Sequence, residues 1–194
     1  MSIIAPVKPY FTYAAQMRNA VPVMAYHCKL YAVQKGLALC KESPGEQADK
    51  ARNYLVGELE DLEQMKAAMG GLTDKEDLKA HVENFIMSVF AQTDKEERTV
   101  ETITKKNAVD FKRSGDFIML LTLFGELEDE WEQRRKYCVY KAGTIMKALK
   151  AGQQPPRGNP FAPEEEKQPE EEKKEEMPAP MQPQEPVPSY QPET

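Results

Sequence analysis

An all-α fold of about seven helices is expected for this chain, and three observations point to it. No proline occurs between Pro44 and Pro155. Proline removes a backbone donor and clashes with the preceding turn, so a stretch that long without one suits continuous helices. Apolar residues over the same stretch recur at spacings of three and four, the repeat of one helix face. Composition then changes. Residues 1–150 carry 22 acidic and 22 basic side chains, whereas residues 151–194 carry 10 acidic against 4 basic, and 11 of the 15 prolines. The chain reads as a neutral helical body, residues 1–152, followed by a disordered acidic, proline-rich tail, residues 153–194. That tail has too few apolar side chains to offset the entropy of ordering it.

Pro9 and Pro22 bracket a first helix, Tyr10 to Ala20. The second opens after Pro22 and runs to Lys41, with Tyr26, Leu30, Val33, Leu37 and Cys40 as its stripe. SPGE at 43–46 is a turn. The third helix, Gln47 to Met69, repeats the pattern in Ala48, Ala51, Leu55, Glu58, Leu62, Met65 and Met69, and Gly70-Gly71 stops it. Thr73 or Asp74 caps a fourth helix striped by Leu78, Val82, Phe85 and Val89. A second capping signature, Thr93-Asp94-Lys95-Glu96, opens a fifth that reaches Lys112. Ser114-Gly115 then separates it from Asp116–Phe124, whose run FIMLLTLF is apolar all round and is read as a buried helix. The last helix spans Asp129 to Leu149, ended by Gly152 and Pro155. Such stripes on successive antiparallel helices pack as a left-handed bundle.

Composition excludes several function classes. A neutral body with an acidic tail lacks the basic face that neutralises phosphates, so no nucleic acid is expected as partner. The longest apolar run, eight residues from Phe117 to Phe124, falls far short of the roughly 18 needed to span a bilayer. MSIIAPVKPYF lacks the features of a signal peptide. Cys28, Cys40 and Cys138 are odd in number and unpaired in spacing, as expected of reduced structural thiols in a cytoplasmic protein. His27 and His81 have no metal-ligand partners at the right spacing. No phosphate loop, dinucleotide fingerprint or nucleophile elbow is present. The carboxylates Glu126, Glu128, Asp129, Glu130 and Glu132 stand where acidic residues stabilise the positive end of a helix. No catalytic residue, cofactor or metal is expected.

Five segments carry a family likeness: AYHCKLYAVQKG (25–36), HVENF (81–85), FAQTDKEER (90–98), DFKRSGDFIMLLTLFGELEDE (110–130) and RRKYCVYKAGTIMKALKAGQQPPRGNP (134–160). In this order and at these intervals the chain resembles the N-terminal domain of the vacuolar protein sorting-associated Vta family, also called LYST-interacting proteins. The resemblance implies tandem MIT modules: helices one to three as one three-helix bundle, five to seven as another, and helix four between. It also implies an adaptor in multivesicular-body sorting, recruited from the cytoplasm to endosomes, that binds C-terminal segments of ESCRT-III subunits. Family members regulate the AAA-type ATPase that disassembles ESCRT-III, using a C-terminal helical domain that also dimerises. The tail here reads as linker up to Thr194. A monomer is therefore expected, one that binds ESCRT-III without delivering the ATPase. The alternative is a helical interaction scaffold of other purpose, such as the Vta-like region of callose synthases.

Two surfaces are candidates for partner binding. Along the third helix Glu58, Asp61, Leu62, Met65 and Met69 have the spacing of a groove lining, with methionines that adapt to different guests. On the last helix Lys136 and Lys141 belong to a basic group, with Arg134 and Arg135, that is expected to meet an acidic ESCRT-III segment.

Overall fold

Proline placement and capping chemistry set where the helices begin. In the computed structural model, which describes residues 3–67, 69 and 74–158, a 3-10 turn (Ala5–Val7) leads into α1 (Lys8–Met17), with Pro9 in its first turn. Helix α2 (Pro22–Glu42) starts on its own proline, whose fixed φ suits the first helical position. Gly45, at φ 142, turns the chain into α3 (Glu46–Ala67). Asp74 caps α4 (Lys75–Thr99), its carboxylate accepting from the backbone N–H of Glu76 at 2.9 Å and of Asp77 at 3.1 Å. Then come α5 (Lys105–Ile118), a 3-10 turn (Met119–Leu123) and α6 (Asp129–Lys150). No strand occurs among the described residues. No helix there is long and apolar enough to cross a membrane. Gly70-Gly71, Thr73 and the tail from residue 159 onward lie outside the described residues.

The structure redraws the middle of the chain. The capping signature at Thr93 opens no helix, because α4 runs through it to Thr99. Val82, Ile86, Thr93 and Glu97 are all buried, so the apolar stripe continues through two polar residues that periodicity alone assigns to the surface. Thr93 Oγ1 lies 3.1 Å from Ser114 Oγ across the α4–α5 contact. The true start of α5 is Thr104, whose backbone N–H donates to Asn107 Oδ1 at 2.9 Å. Ser114-Gly115, expected as a break, sits inside α5 instead. The Ser114 hydroxyl is satisfied by the Asp110 carbonyl at 3.0 Å. A Cβ on Gly115 would stand 3.2 Å from Cys138 Cβ, so glycine permits the close approach of α6. Among the described residues six α-helices result rather than seven.

They pack as two triplets. Helix α2 lies against both α1 and α3, and α5 against both α4 and α6. The triplets share one apolar core that includes Met24, Leu55, Ile86, Phe111 and Ile118. Polar and ring contacts join them. The Tyr10 hydroxyl donates to the Asp116 carbonyl (3.1 Å) and the Tyr13 hydroxyl to its carboxylate (2.9 Å). His27 of α2 stacks on Phe124, with ring centroids 5.2 Å apart. His27 is buried, which pushes its pKa below the usual value. The apolar run after Asp116 thereby finds partners on several sides: Ile118, Leu120 and Leu121 are buried, and the 3-10 turn packs on both α2 and α4.

Gly36 sets the closeness of α2 and α3. A Cβ there would meet Leu55 Cδ1 at 2.8 Å and Val7 Cγ2 at 3.5 Å, and Leu55 is wholly buried. Gly36→Val should destabilise the fold by about 1–3 kcal/mol through overpacking, read as a lower urea midpoint with an unchanged slope. An equal or higher midpoint would show that the contact has slack.

Candidate partner-binding grooves

A groove of about 210 Å³ opens between α1 and α3. Phe11 and Ala14 of α1 form one side of it, and Tyr54 and Met65 of α3 the other. The Phe11 and Tyr54 rings meet edge to face at 5.8 Å. Tyr54 is 49% exposed, whereas Met65 lies at 5% deep in the groove. The residues 54, 58, 61 and 65 follow the 3–4 repeat along one flank of α3, beside the flank that enters the core. Room of this size accepts one large side chain, not the backbone of a helix about 10 Å across.

The groove carries a charge cluster built from three helices. Lys29 of α2 reaches it from below and pairs with Glu58 at 2.5 Å and with Asp61. Asp61 also accepts from Arg18, just past α1, with one contact at 2.9 Å and another at 2.5 Å. Bonds from Arg18 and then Lys29 hold the Asp61 carboxyl down to about 2. Lys29 is 8% exposed, so an unpaired ammonium there would be costly and both carboxylates are needed. The cluster is internally neutral, two cations against two anions.

Three of the five residues expected on α3 belong to this groove: Glu58, Asp61 and Met65. Leu62 and Met69 do not line it. They are 4% and 9% exposed and lie in the apolar core. Leu62 sits on the α3 flank aligned with Leu55, so Leu62→Asp would disrupt folding before it informed on binding. Phe11, Arg18, Lys29 and Tyr54 escaped the sequence reading. Lys29 stands within the apolar AYHCKLYAVQKG segment of α2, and that burial of a charge was the available signal. On the other flank of α3, Val56 and Leu59 are 52% and 43% exposed.

The basic rim expected on α6 is largely spoken for. Arg134 pairs with Glu130 at 2.5 Å and lies 5.1 Å over the Trp131 ring. Arg135 makes a two-bond fork with Glu132, both at 2.7 Å. Lys136 is exposed and 3.8 Å from Glu132. Lys141 has to be corrected: it is 2% exposed and donates to Glu97 at 2.7 Å, and Glu97 itself is fully buried. Cys138, Lys141 and Ile145 follow the 3–4 repeat, so position 141 belongs to the core side of α6. The face of α5 around Asp116 is covered as well, since Tyr10 and Tyr13 of α1 close on it.

Two outcomes follow from these pairs. Lys141→Ala leaves the Glu97 carboxylate buried without its cation and should lower stability by about 3–5 kcal/mol. Glu97→Gln with Lys141→Met should recover most of that loss in urea unfolding; a single variant as stable as wild type would show that water enters the site. Asp61 has a depressed folded pKa, so its contribution is present above about pH 4, the unfolded value, and is lost as pH falls towards about 2. Asp61→Asn should therefore be less stable at neutral pH and show a shallower loss between those limits in an acid titration followed by circular dichroism. Parallel curves would remove Asp61 as the titrating group.

Comparison with known proteins identifies the family. Residues 6–151 match the family described as Vta1 like. The protein named homolog of mammalian LYST-interacting protein 5 from Arabidopsis thaliana is 34% identical over 152 residues, 78% of this chain and 34% of its own length. The human vacuolar protein sorting-associated protein VTA1 homolog is 34% identical over 140 residues, 71% of this chain and 44% of its own. The Dictyostelium discoideum VTA1 homolog is 27% identical over 152 residues, 78% of this chain and 27% of its own. The chain thus spans less than half the length of each of these relatives. With three quarters of its residues matched by one family, this chain belongs to the Vta1-like family.

Proposed function

We propose that this chain is a non-catalytic adaptor in vacuolar protein sorting, recruited to endosomes by binding C-terminal segments of ESCRT-III subunits. The observation that carries the reading is the groove between α1 and α3, a surface where apolar side chains and a prearranged charge cluster stand together. The relatives' names supply the pathway, vacuolar protein sorting, and the resemblance supplies the class of partner. An ESCRT-III segment places one apolar side chain between Phe11, Tyr54 and Met65. Its charged groups exchange with the Arg18–Asp61–Lys29–Glu58 cluster, whose total charge allows either sign to find a counter-ion. We assign ESCRT-III recognition to residues 6–151, and leave contact with the AAA-type ATPase to other parts of the full adaptor.

Fluorescence anisotropy with labelled ESCRT-III C-terminal peptides tests the assignment. Tyr54 is half exposed and its removal leaves the core intact, so Tyr54→Ala should retain helicity and melting temperature. It should weaken the bound peptide by about tenfold or more, the loss expected for an aromatic anchor. Unchanged affinity for every peptide that binds wild type would move the site away from this groove.

A further inference from the structure

The last described residues fold back on the second triplet. Gly152, at φ 67, turns the chain after α6, and Gly158, at φ 75, marks the far end of the returning strap. Between them Pro155 is buried and Arg157 lies across the C-terminal end of α4. The Arg157 guanidinium donates to the carbonyls of Glu97 at 2.6 Å, Arg98 at 3.3 Å, Val100 at 2.6 Å and Glu101 at 3.0 Å. The first two belong to the last turn of α4, whose carbonyls have no helical donor and which is the negative end of the helix dipole. From below, the Lys141 ammonium donates to the carbonyls of Pro156 at 3.1 Å and Gly158 at 3.0 Å.

The chemistry of this cleft is that of a receptor for an extended chain. Lys141 has three N–H donors. The helices satisfy one of them, through Glu97 at 2.7 Å, and the other two point at main-chain carbonyls of the strap. Four carbonyls on the rim of the cleft accept one guanidinium, and Pro155, two residues before it, is buried. These contacts read backbone direction, a proline and an arginine, and none of them requires the ligand to be covalently joined to α6.

We propose that the α4–α6 cleft is a second binding site, for an extended partner segment with a proline two residues before an arginine, and that Pro155–Gly158 occupies it in cis as a competitor. This site is separate from the α1–α3 groove and does not depend on the function assigned to that groove. A short tether gives the strap an effective concentration on the order of millimolar. A free segment therefore binds with an apparent affinity reduced by the fraction of time the cleft is open.

The test uses the full chain and a labelled synthetic peptide covering Gly152 to Pro160. Arg157→Ala loosens the strap at a solvent-exposed side chain, so the variant should melt close to wild type. It should bind the peptide at least about tenfold more tightly than wild type does. The same peptide with alanine in place of its arginine should lose that binding. In wild type, excess peptide should raise deuterium uptake at the Gly158 amide, which donates to Glu97, and leave the interior of α4 unchanged. Equal affinity of wild type and Arg157→Ala, or uptake at that amide that ignores the peptide, would overturn the proposal and leave the strap as a fixed helix cap.

Discussion

The contact of Tyr10 and Tyr13 with Asp116 joins the two triplets of this molecule. It ties α1 to α5 through one main-chain and one carboxylate acceptor, and the Tyr13 ring packs on Phe117 at 5.2 Å beside it. Asp116 also receives Lys112 at 2.6 Å, so its carboxylate is anchored from its own helix. With α1 committed to α5 on one side, its other side faces α3 across the groove. The first triplet keeps an accessible groove, and α5 is covered around Asp116.

Each triplet buries a lysine from a helix whose neighbours supply the counter-charge. Lys29 meets Glu58 and Asp61, and Lys141 meets Glu97. Buried ion pairs add little net stability because desolvation offsets most of the attraction, but breaking one is costly. Their effect is to hold helix register: a slip along the helix axis would strand a charge. The two sites differ in what covers them. The Lys29 cluster borders the open groove, with Asp61 partly in contact with solvent, whereas Lys141 lies beneath Pro155–Gly158 and is closed from water.

Surface chemistry on the helices follows the same division. On α6, Glu130 and Glu132 pair within the helix with Arg134 and Arg135. Pairs of this kind at the surface contribute a few tenths of a kcal/mol, so they neutralise the helix more than they stabilise it. A rim read from sequence as basic therefore presents little net charge. On α3, exposed Val56 and Leu59 place apolar surface between Arg52 and Glu63, each one turn away.

The helical class, the starts of α1, α2 and α6, and the membership of the five family segments were legible in the sequence because they rest on local chemistry. Proline positions, the Asp74 cap and the 3–4 stripes act within a few residues, and a reader of the chain sees all of them. The continuity of α4 through Thr93 was not legible, because Thr93-Asp94-Lys95-Glu96 has the form of a helix cap, and only the contact with Ser114 of another helix shows Thr93 on a buried stripe. Lys141 was read as a rim charge for the same reason: Glu97 stands 44 positions away, and only packing brings the two together. Likewise Glu58, Asp61 and Met65 were found from spacing along one helix, while Phe11, Arg18 and Lys29 join them only when α1 and α2 are laid beside α3. Helix periodicity reports which residues share a face; which face meets another, and which stays open, is decided by contacts between residues far apart in the chain.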